Sequence, residues 1–259
     1  MIANVKWEVR DEKILLVVDM QNDFIDGPLG TPEARAIVDN VCAKIREGEW
    51  DEVLVTKDLH YENTYFDSQE GQKLPILHCV NGSIGSELNL SVMVSLCKVK
   101  NVKFFGKNSF GCKRLIRHIE DYYDFFAYEF ELTLIGVCTD ICVISNALLL
   151  KAHYPEMKIV VDAACCAGST PEKHRMALEV MKSCQVEVEN MPEDLPDNYI
   201  VRNFVEKDSN PYNCGHDKCI HTYCGWHPNH DPNAKIPDKY GCWTQTDKDC
   251  THCHRWLDR

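Results

Sequence analysis

Three side chains with complementary chemistry stand in short segments that lie far apart in the sequence. Asp19 follows the apolar run 14–18, Lys107 lies in the segment Gly-Lys-Asn-Ser-Phe, and Cys142 lies in Gly-Val-Cys-Thr-Asp-Ile-Cys-Val. In acyl transfer a carboxylate accepts the proton of a thiol, an amine stabilises charge, and the thiolate attacks a carbonyl carbon. The three residues therefore predict a cysteine-dependent acyl-transfer site, if the fold brings them together.

A second group of side chains predicts a metal site beside the first. Asp58 and His60 are two residues apart directly after an apolar run, and His78 lies farther along the chain. Side chains at positions i and i+2 of an extended chain point the same way. Two imidazoles and a carboxylate suit Zn²⁺, Fe²⁺ or Mn²⁺. The alternative for this segment is a turn with a surface histidine.

Apolar runs rich in β-branched residues alternate with helical patterns. The first run, 14–18, is typical of a strand that is buried on both faces, and similar runs occur at 52–56, 99–105, 132–136, 157–161 and 186–188. A Thr-Pro pair predicts a helix start at Thr31, followed by a helical pattern over 32–41, and a second helix start at Thr170. The second helix is expected to reach about Ser183. This alternation predicts an α/β fold with a mostly parallel sheet.

The predicted strands give the chemical residues a common location. Asp19, Asp58, Lys107 and Cys142 all come just after predicted strands. Ligands of parallel α/β sheets bind outside the carboxyl ends of the strands, so one pocket is expected to contain these side chains. Each residue also has a structural alternative, such as a capping acid or an exposed loop lysine. Lys103 is a competing candidate for the amine.

Cys142 is expected in the first turn of a helix. Thr139 or Asp140 can cap a helix whose body begins at Val143. Amides and the positive end of the helix dipole would then favour a thiolate and could hold an oxyanion. The alternative is a buried structural cysteine.

Five segments together resemble the isochorismatase-like cysteine hydrolase superfamily and, within it, the nicotinamidase-type amidases. The resemblance covers about residues 13–190, and its segments are 19–24, 56–60, 74–82, 107–110 and 136–143. It implies a three-layer α/β/α domain with a mostly parallel central sheet. It also implies a small-molecule amide as substrate and a homo-oligomeric assembly.

The resemblance assigns roles to the site residues. Cys142 would be the nucleophile, Asp19 its general base, and Lys107 a bridge that stabilises charge. The backbone amides of Cys138 and Cys142 would form the oxyanion hole, after a cis peptide between Val137 and Cys138. The expected chemistry is thioester formation with loss of ammonia or an amine, followed by hydrolysis.

The resemblance also extends the predicted metal site. His78 would join Asp58 and His60 as a ligand of a divalent zinc, iron or manganese ion. Glu70 is a possible fourth ligand, because some relatives place a glutamate in this loop.

Three positions depart from the pattern of relatives that hydrolyse nicotinamide. Leu59 and Leu74 stand where those relatives usually carry Trp, and Ile141 stands where Tyr is common. An aromatic box for a pyridine ring is therefore weakened. Phe24 and Phe110 remain as candidate substrate-binding residues, with plain core packing as the alternative.

The predicted function is that of a nicotinamidase-like amidase, which converts nicotinamide to nicotinate and ammonia. Isochorismate-cleaving members lack the nucleophilic cysteine and need no metal site, so the present residues favour amide hydrolysis. One alternative is hydrolysis of another small amide, or of a carbamoyl or ureido compound. Another is a catalytically idle scaffold whose C-terminal extension binds a partner.

The sequence changes character near residue 190, which predicts a hydrolase domain over 1–190 and an extension over 191–259. The last 46 residues contain six cysteines and six histidines and too few apolar residues for a core. We expect structural zinc in this extension, with candidate ligands Cys214, Cys219, Cys224, Cys242, Cys250 and Cys253. A disulfide cluster and a disordered tail are the alternatives.

Composition limits the partners of the chain. The net charge of −12 argues against nonspecific binding to nucleic acid or to anionic membranes. No apolar run reaches the roughly 18 residues of a membrane span, and the N-terminal residues do not have the pattern of a signal peptide. A cytoplasmic location is therefore expected.

Overall fold

The computed structural model describes residues 10–122, 128–191, 220–221 and 242–243. The chain divides into two compact units, Met1–Ile200 and Val201–Arg259. The sequence-based boundary at residue 190 remains a prediction. No helix in the described part of the chain is long and apolar enough to cross a membrane.

The first unit contains a six-stranded parallel sheet. Its strands are β1 (Arg10–Val18), β2 (Glu52–Asp58), β3 (Val102–Lys107), β4 (Tyr128–Val137), β5 (Lys158–Ala167) and β6 (Glu187–Glu189), and their spatial order is β3-β2-β1-β4-β5-β6. β1 lies between β2 and β4, and residues 14–18 have no exposed surface. Burial on both faces explains why this segment is a continuous apolar run.

Helices connect the strands. The α-helices are α1 (Asn22–Ile25), α2 (Pro32–Ala36), α3 (Val38–Glu47), α4 (Glu62–Tyr65), α5 (Gln69–Lys73), α6 (Leu90–Leu96), α7 (Lys113–Tyr122), α8 (Ile144–His153) and α9 (Pro171–Ser183). A 3₁₀ turn at Ile84–Ser86 and a π-helical turn at Thr139–Val143 complete the described helical segments of this unit.

The helices cover both faces of the sheet. Side chains of α3 and α6 pack in one apolar cluster with Leu15 and Val17 of β1, whereas side chains of α7, α8 and α9 pack in another with Ile14, Leu16 and Val18. Successive residues of β1 thus face opposite layers. The architecture is a three-layer α/β/α fold with a parallel sheet, as predicted.

Local sequence signals account for most helix boundaries. Thr31 and Thr170 accept hydrogen bonds from amides three residues later, and α9 ends at Ser183 as predicted. One difference concerns the predicted helix over 32–41, which is interrupted at Ile37. α2 and α3 are therefore separate helices.

The second unit contains one described pair of short strands. β7 (Ile220–His221) pairs antiparallel with β8 (Cys242–Trp243). The other residues of the extension lie outside the described part of the chain.

Candidate active site

The carboxyl ends of β1, β2, β3 and β4 bring the predicted residues together. Asp19 follows β1, Asp58 ends β2, Lys107 ends β3, and Cys142 lies in the π-helical turn after β4. Lys103, the competing amine, is an exposed residue within β3. The structure thus groups the four residues whose positions after predicted strands indicated one pocket.

The ammonium of Lys107 lies among two carboxylates and a thiol. Its Nζ is 2.6 Å from Asp19 Oδ2, 3.5 Å from Cys142 Sγ and 3.6 Å from Asp58 Oδ1. Asp19 Oδ1 accepts a hydrogen bond from the Thr56 hydroxyl at 2.7 Å. All of these side chains are buried, so the charges of Lys107, Asp19 and Asp58 interact with little screening by water.

Burial and charge shift the ionisation of the three reactive groups. Burial raises the pKa of the Asp19 carboxyl above its usual value, although the nearby Lys107 ammonium opposes this shift. Burial and the Asp19 charge raise the pKa of the Cys142 thiol well above that of an ordinary cysteine. Burial opposes the charge on Lys107, but Asp19, Cys142 and Asp58 together raise its pKa.

These shifts modify the expectation that a helix terminus alone would favour the Cys142 thiolate. The raised pKa values favour a protonated thiol at Cys142 and an ammonium at Lys107. Formation of a thiolate therefore depends on transfer of the proton to a neighbouring base. Asp19, whose raised pKa favours proton acceptance, is the candidate for that base, and its catalytic role remains a prediction.

The turn that contains Cys142 begins at Cys138. The amides of Ile141 and Val143 both donate to the Cys138 carbonyl oxygen at 3.0 Å, and the Val137–Cys138 peptide bond is cis, as the resemblance implies. Burial raises the pKa of the Cys138 thiol to about 12, so this thiol is protonated near neutral pH. The oxyanion hole formed by the amides of Cys138 and Cys142 remains a prediction.

Thr139 and Asp140 do not cap the helix as the sequence suggested. The N-cap residue of the π-helical turn Thr139–Val143 is Cys138, whose side chain makes no capping hydrogen bond. Asp140 accepts hydrogen bonds from the amide and the hydroxyl of Ser169 at 2.7 and 2.6 Å, and the Thr139 hydroxyl lies 2.8 Å from His174 Nδ1. These two side chains instead tether the cysteine turn to the segment after β5 and to α9.

Four side chains converge beside Lys107 as candidate metal ligands. His60 Nε2 and His78 Nε2 lie 2.8 and 3.5 Å from Asp58 Oδ2, and each lies 3.8 Å from an oxygen of Glu70. One donor atom from each residue falls within 4.8 Å of the others. Two imidazole nitrogens and two carboxylates fit a divalent zinc, iron or manganese ion.

Backbone pairing brings the two histidines to the same place. The His60 amide donates to the Cys79 carbonyl, and the Asn81 amide donates to the His60 carbonyl, at 3.0 and 2.8 Å. His78, one residue before Cys79, therefore lies beside His60, and the two ring centroids are 4.7 Å apart.

Contacts with Ile76 and Tyr65 orient the His78 ring. Its Nδ1 lies 2.8 Å from the Ile76 carbonyl, to which it donates, and this leaves Nε2 available as a candidate ligand atom. The Tyr65 hydroxyl donates to the Leu74 carbonyl at 2.7 Å and lies 3.3 Å from the same Nδ1. Edge contacts of the Tyr65 ring with both imidazoles hold the rings in place.

Gln21 positions Asp58 through its backbone, a role that the sequence analysis missed. Gln21 Nε2 donates to the carbonyls of Asp58 and Ser86 at 2.8 Å, and Oε1 accepts from the Asp58 amide at 2.7 Å. The side chain is fully buried, so these bonds connect the ends of β1 and β2. The sequence carries no local signal of this role, because residues 58 and 86 become neighbours of Gln21 only in the fold.

A cavity of about 800 Å³ connects the cysteine with the candidate metal ligands. Phe24 and Phe110, the predicted substrate-binding residues, both line it. Phe24 is buried and packs edge-on against the His78 ring, with the two ring centroids 5.6 Å apart, whereas Phe110 is 49% exposed. Three branched aliphatic side chains also form its walls: Leu59, Leu74 and Ile141.

The predicted zinc ligands of the extension have a different status. Cys242 belongs to β8, and the other five, Cys214, Cys219, Cys224, Cys250 and Cys253, lie outside the described residues. The zinc site of the extension stays a prediction.

The fold and the grouped side chains define a hydrolase of the isochorismatase-like superfamily. The family model described as "Isochorismatase domain" matches residues 13–193, and the chain belongs to this family.

Similar proteins are amidases by name. The nicotinamidase of Saccharomyces cerevisiae is 23% identical over 214 residues, which cover 68% of this chain and 98% of the relative. The crystal structure of nicotinamidase/pyrazinamidase from Bacillus subtilis is 28% identical, has a TM-score of 0.55, and is matched over 69% of this chain and 100% of its own. The crystal structure of the pyrazinamidase of Pyrococcus horikoshii in complex with zinc is 24% identical and has a TM-score of 0.56. The match covers 70% of this chain and 99% of that one.

Proposed function

We propose that this protein hydrolyses a small amide through a thioester on Cys142, with nicotinamide as the first candidate substrate. The observation that carries the proposal is the Lys107 ammonium placed between the Asp19 carboxylate and the Cys142 thiol. Cys142 lines a cavity that the candidate metal ligands also line. Family membership and the amidases among the relatives support a hydrolase that acts on amides.

The first half-reaction forms the thioester. Asp19 accepts the proton of Cys142, and the thiolate attacks the amide carbon. The Lys107 ammonium stabilises the negative charge that moves from carboxylate to sulfur, and the backbone amides of Cys138 and Cys142 would hold the oxyanion. The carbon–nitrogen bond then breaks, and ammonia leaves with the proton that Asp19 returns.

The second half-reaction hydrolyses the thioester. A water molecule attacks the acyl carbon, and Asp19 accepts the proton of that water. The carbon–sulfur bond breaks, the acid is released, and Cys142 regains its proton. One water is consumed, and one carboxylic acid and one ammonia are formed for each amide.

The metal-binding part of the proposal rests on the donor set of this chain. Asp58, His60, His78 and Glu70 would hold a divalent zinc, iron or manganese ion, and the zinc complex of the Pyrococcus horikoshii relative supports this proposal. Such an ion supplies a Lewis acid that binds a polar substrate atom or water in the cavity. In the extension, structural zinc is proposed from the cysteine and histidine content alone.

The walls of the cavity favour a second candidate substrate class. Leu59, Leu74 and Ile141 present branched aliphatic surfaces, which lack the flat face that stacks on a pyridine ring. Another small amide, or a carbamoyl or ureido compound, would meet the same nucleophile. Substrate profiling with the purified protein separates these compounds from nicotinamide.

Ammonia release from nicotinamide tests the proposed function. The wild-type protein is expected to release ammonia, and Cys142→Ala is expected to lose at least about a thousandfold in rate. Cys97→Ala, at an exposed cysteine outside the cavity, is the matched control and should keep the wild-type rate. Turnover that is equal in wild type and Cys142→Ala would contradict the proposed mechanism.

A further inference from the structure

Asn146 makes hydrogen bonds to two separate parts of the candidate active site. Its Nδ2 donates to the Cys142 carbonyl at 2.8 Å and to the Phe110 carbonyl at 3.4 Å. Its Oδ1 accepts from the Cys112 amide at 2.8 Å. The side chain is fully buried in the first turn of α8, and both amide protons of Nδ2 have acceptors.

The partners of Asn146 belong to two segments of the chain, and both segments contribute residues to the cavity lining. Cys142 carries the thiol. Phe110 belongs to the segment 108–112, which follows Lys107, and residues 108–110 of this segment line the cavity wall. Phe110 is half exposed, so packing alone holds this wall weakly. The hydrogen bonds of Asn146 therefore join the backbone of the cysteine turn to the backbone of the wall.

A close backbone approach supports this connection. A Cβ atom at Gly111 would lie 3.3 Å from the Ser145 carbonyl oxygen, next to Asn146 in sequence. The segment 108–112 thus packs directly against the start of α8, where a Cβ atom at position 111 would be a tight contact with the helix backbone.

We propose that Asn146 is a positioning residue that fixes the cavity wall at 108–112 relative to Cys142. Its consequences for turnover rest on the proposed amidase function, whereas its structural effect is measurable without a substrate. Because the wall contacts the substrate and not the reacting sulfur, loss of the wall contacts raises KM more than it lowers kcat.

Two substitutions separate the bonds of Asn146. In Asn146→Thr the hydroxyl can still donate to the carbonyl four residues earlier, that of Cys142, but it is too short to reach Phe110 and Cys112. Asn146→Ala removes all three bonds. Ser95→Ala is the matched control, because Ser95 is equally buried and hydrogen-bonded but lies in α6, outside the cavity.

The first readouts are hydrogen exchange of residues 108–112 and the alkylation rate of Cys142, each followed by peptide mass spectrometry. In Asn146→Thr, the bonds to Phe110 and Cys112 are both lost, so exchange at 108–112 should increase at least about tenfold. Cys142 alkylation should stay within about twofold of wild type. In Asn146→Ala, the exchange rate at 108–112 and the alkylation rate of Cys142 should both differ from those of the wild type. Ser95→Ala should change neither.

Kinetics with an amide that the wild type hydrolyses give the third readout. Asn146→Thr should raise KM about fivefold to tenfold with kcat within about threefold of wild type. Exchange at 108–112 that stays at the wild-type rate in both Asn146 variants would overturn the proposal. If the wild type hydrolyses no amide, the proposed function fails, and exchange and alkylation still decide whether Asn146 positions the wall.

Discussion

At the scale of single residues, the Lys107 ammonium compensates the buried Asp19 carboxylate. The two charged atoms are 2.6 Å apart, and neither side chain is appreciably exposed. Lys107→Met would leave a buried carboxylate without its cation, and we expect the free energy of unfolding to fall by about 3–5 kcal/mol. Urea unfolding measures this change.

A double variant provides the control for this prediction. Asp19→Asn combined with Lys107→Met removes both charges and should recover most of the lost stability. Equal destabilisation in the single and the double variant would show that Lys107 contributes by packing and not by charge.

The raised pKa of Asp19 predicts a pH dependence of stability. A carboxyl whose pKa is higher in the folded state binds its proton more tightly when folded, so stability falls as pH rises above the ordinary aspartate value of about 3.9. Lys107→Met removes the cation that opposes this shift, and its loss of stability should therefore extend to higher pH. Urea unfolding of Lys107→Met between about pH 5 and 8 measures how the free energy of unfolding changes with pH. Adding Asp19→Asn to this variant should abolish that pH dependence.

Tyr65 is expected to affect metal binding, because its hydroxyl lies against His78 Nδ1 and its ring against both imidazoles. Tyr65→Phe should weaken zinc affinity about tenfold, as measured by chelator competition. Phe66→Leu changes the exposed neighbouring ring and is the control. Unchanged affinity in Tyr65→Phe would mean that the hydroxyl does not help to orient His78.

At the scale of elements, two glycines near strand ends should respond differently to substitution. Gly136 in β4 has φ +119°, and its Cβ would lie 2.1 Å from the Val18 carbonyl oxygen. Gly106→Ala would meet only the movable end of the Leu59 side chain, at 2.7 Å. We expect Gly136→Ala to cost at least about 3 kcal/mol of stability and Gly106→Ala less than about 1 kcal/mol.

The same urea unfolding experiment compares the two glycine variants. Gly106→Ala should displace the Leu59 side chain into the cavity and raise KM for the substrate. A Gly136→Ala variant as stable as wild type would contradict the close approach of β4 to Val18.

The sequence was sufficient to locate the strands, because buried parallel strands are continuous apolar runs, although the strand predicted at 99–105 is observed at Val102–Lys107 in an outer strand of the sheet. It was also sufficient to place Asp19, Asp58, Lys107 and Cys142 at the same end of the sheet, since each lies at or just after the carboxyl end of a strand. The partners of polar side chains were harder to predict. Asp140 bonds to Ser169 instead of capping its own turn, and that contact depends on the packing of distant segments.

The break at Ile37 and the contacts of Gln21 and Asn146 were not predicted from the sequence. Residues 32–41 form one helical pattern, but the structure interrupts it at Ile37, whose backbone keeps right-handed helical angles (φ −84°, ψ −10°). Gln21 and Asn146 are polar residues in ordinary positions of the sequence, and only the fold shows that their partners lie at 58, 86, 110, 112 and 142.

At the scale of the whole molecule, the two units predict two kinds of metal site. His60→Ala combined with His78→Ala should remove about one equivalent of metal and leave the zinc of the extension in place. Cys250→Ser combined with Cys253→Ser should remove zinc from the extension and leave the metal of the first site in place. Elemental analysis of the full chain and both variants measures the stoichiometry, and a full chain with no zinc beyond the first site would contradict the prediction for the extension.

The central claim is that an acyl group is carried by Cys142. Its most direct test is mass spectrometry of the protein after rapid acid quench during turnover of an amide that it hydrolyses. The mechanism predicts an acyl adduct on the peptide that contains Cys142, with a mass that follows the acid portion of each amide. Steady turnover with no adduct at Cys142, together with ammonia release by Cys142→Ala at the wild-type rate, would contradict it.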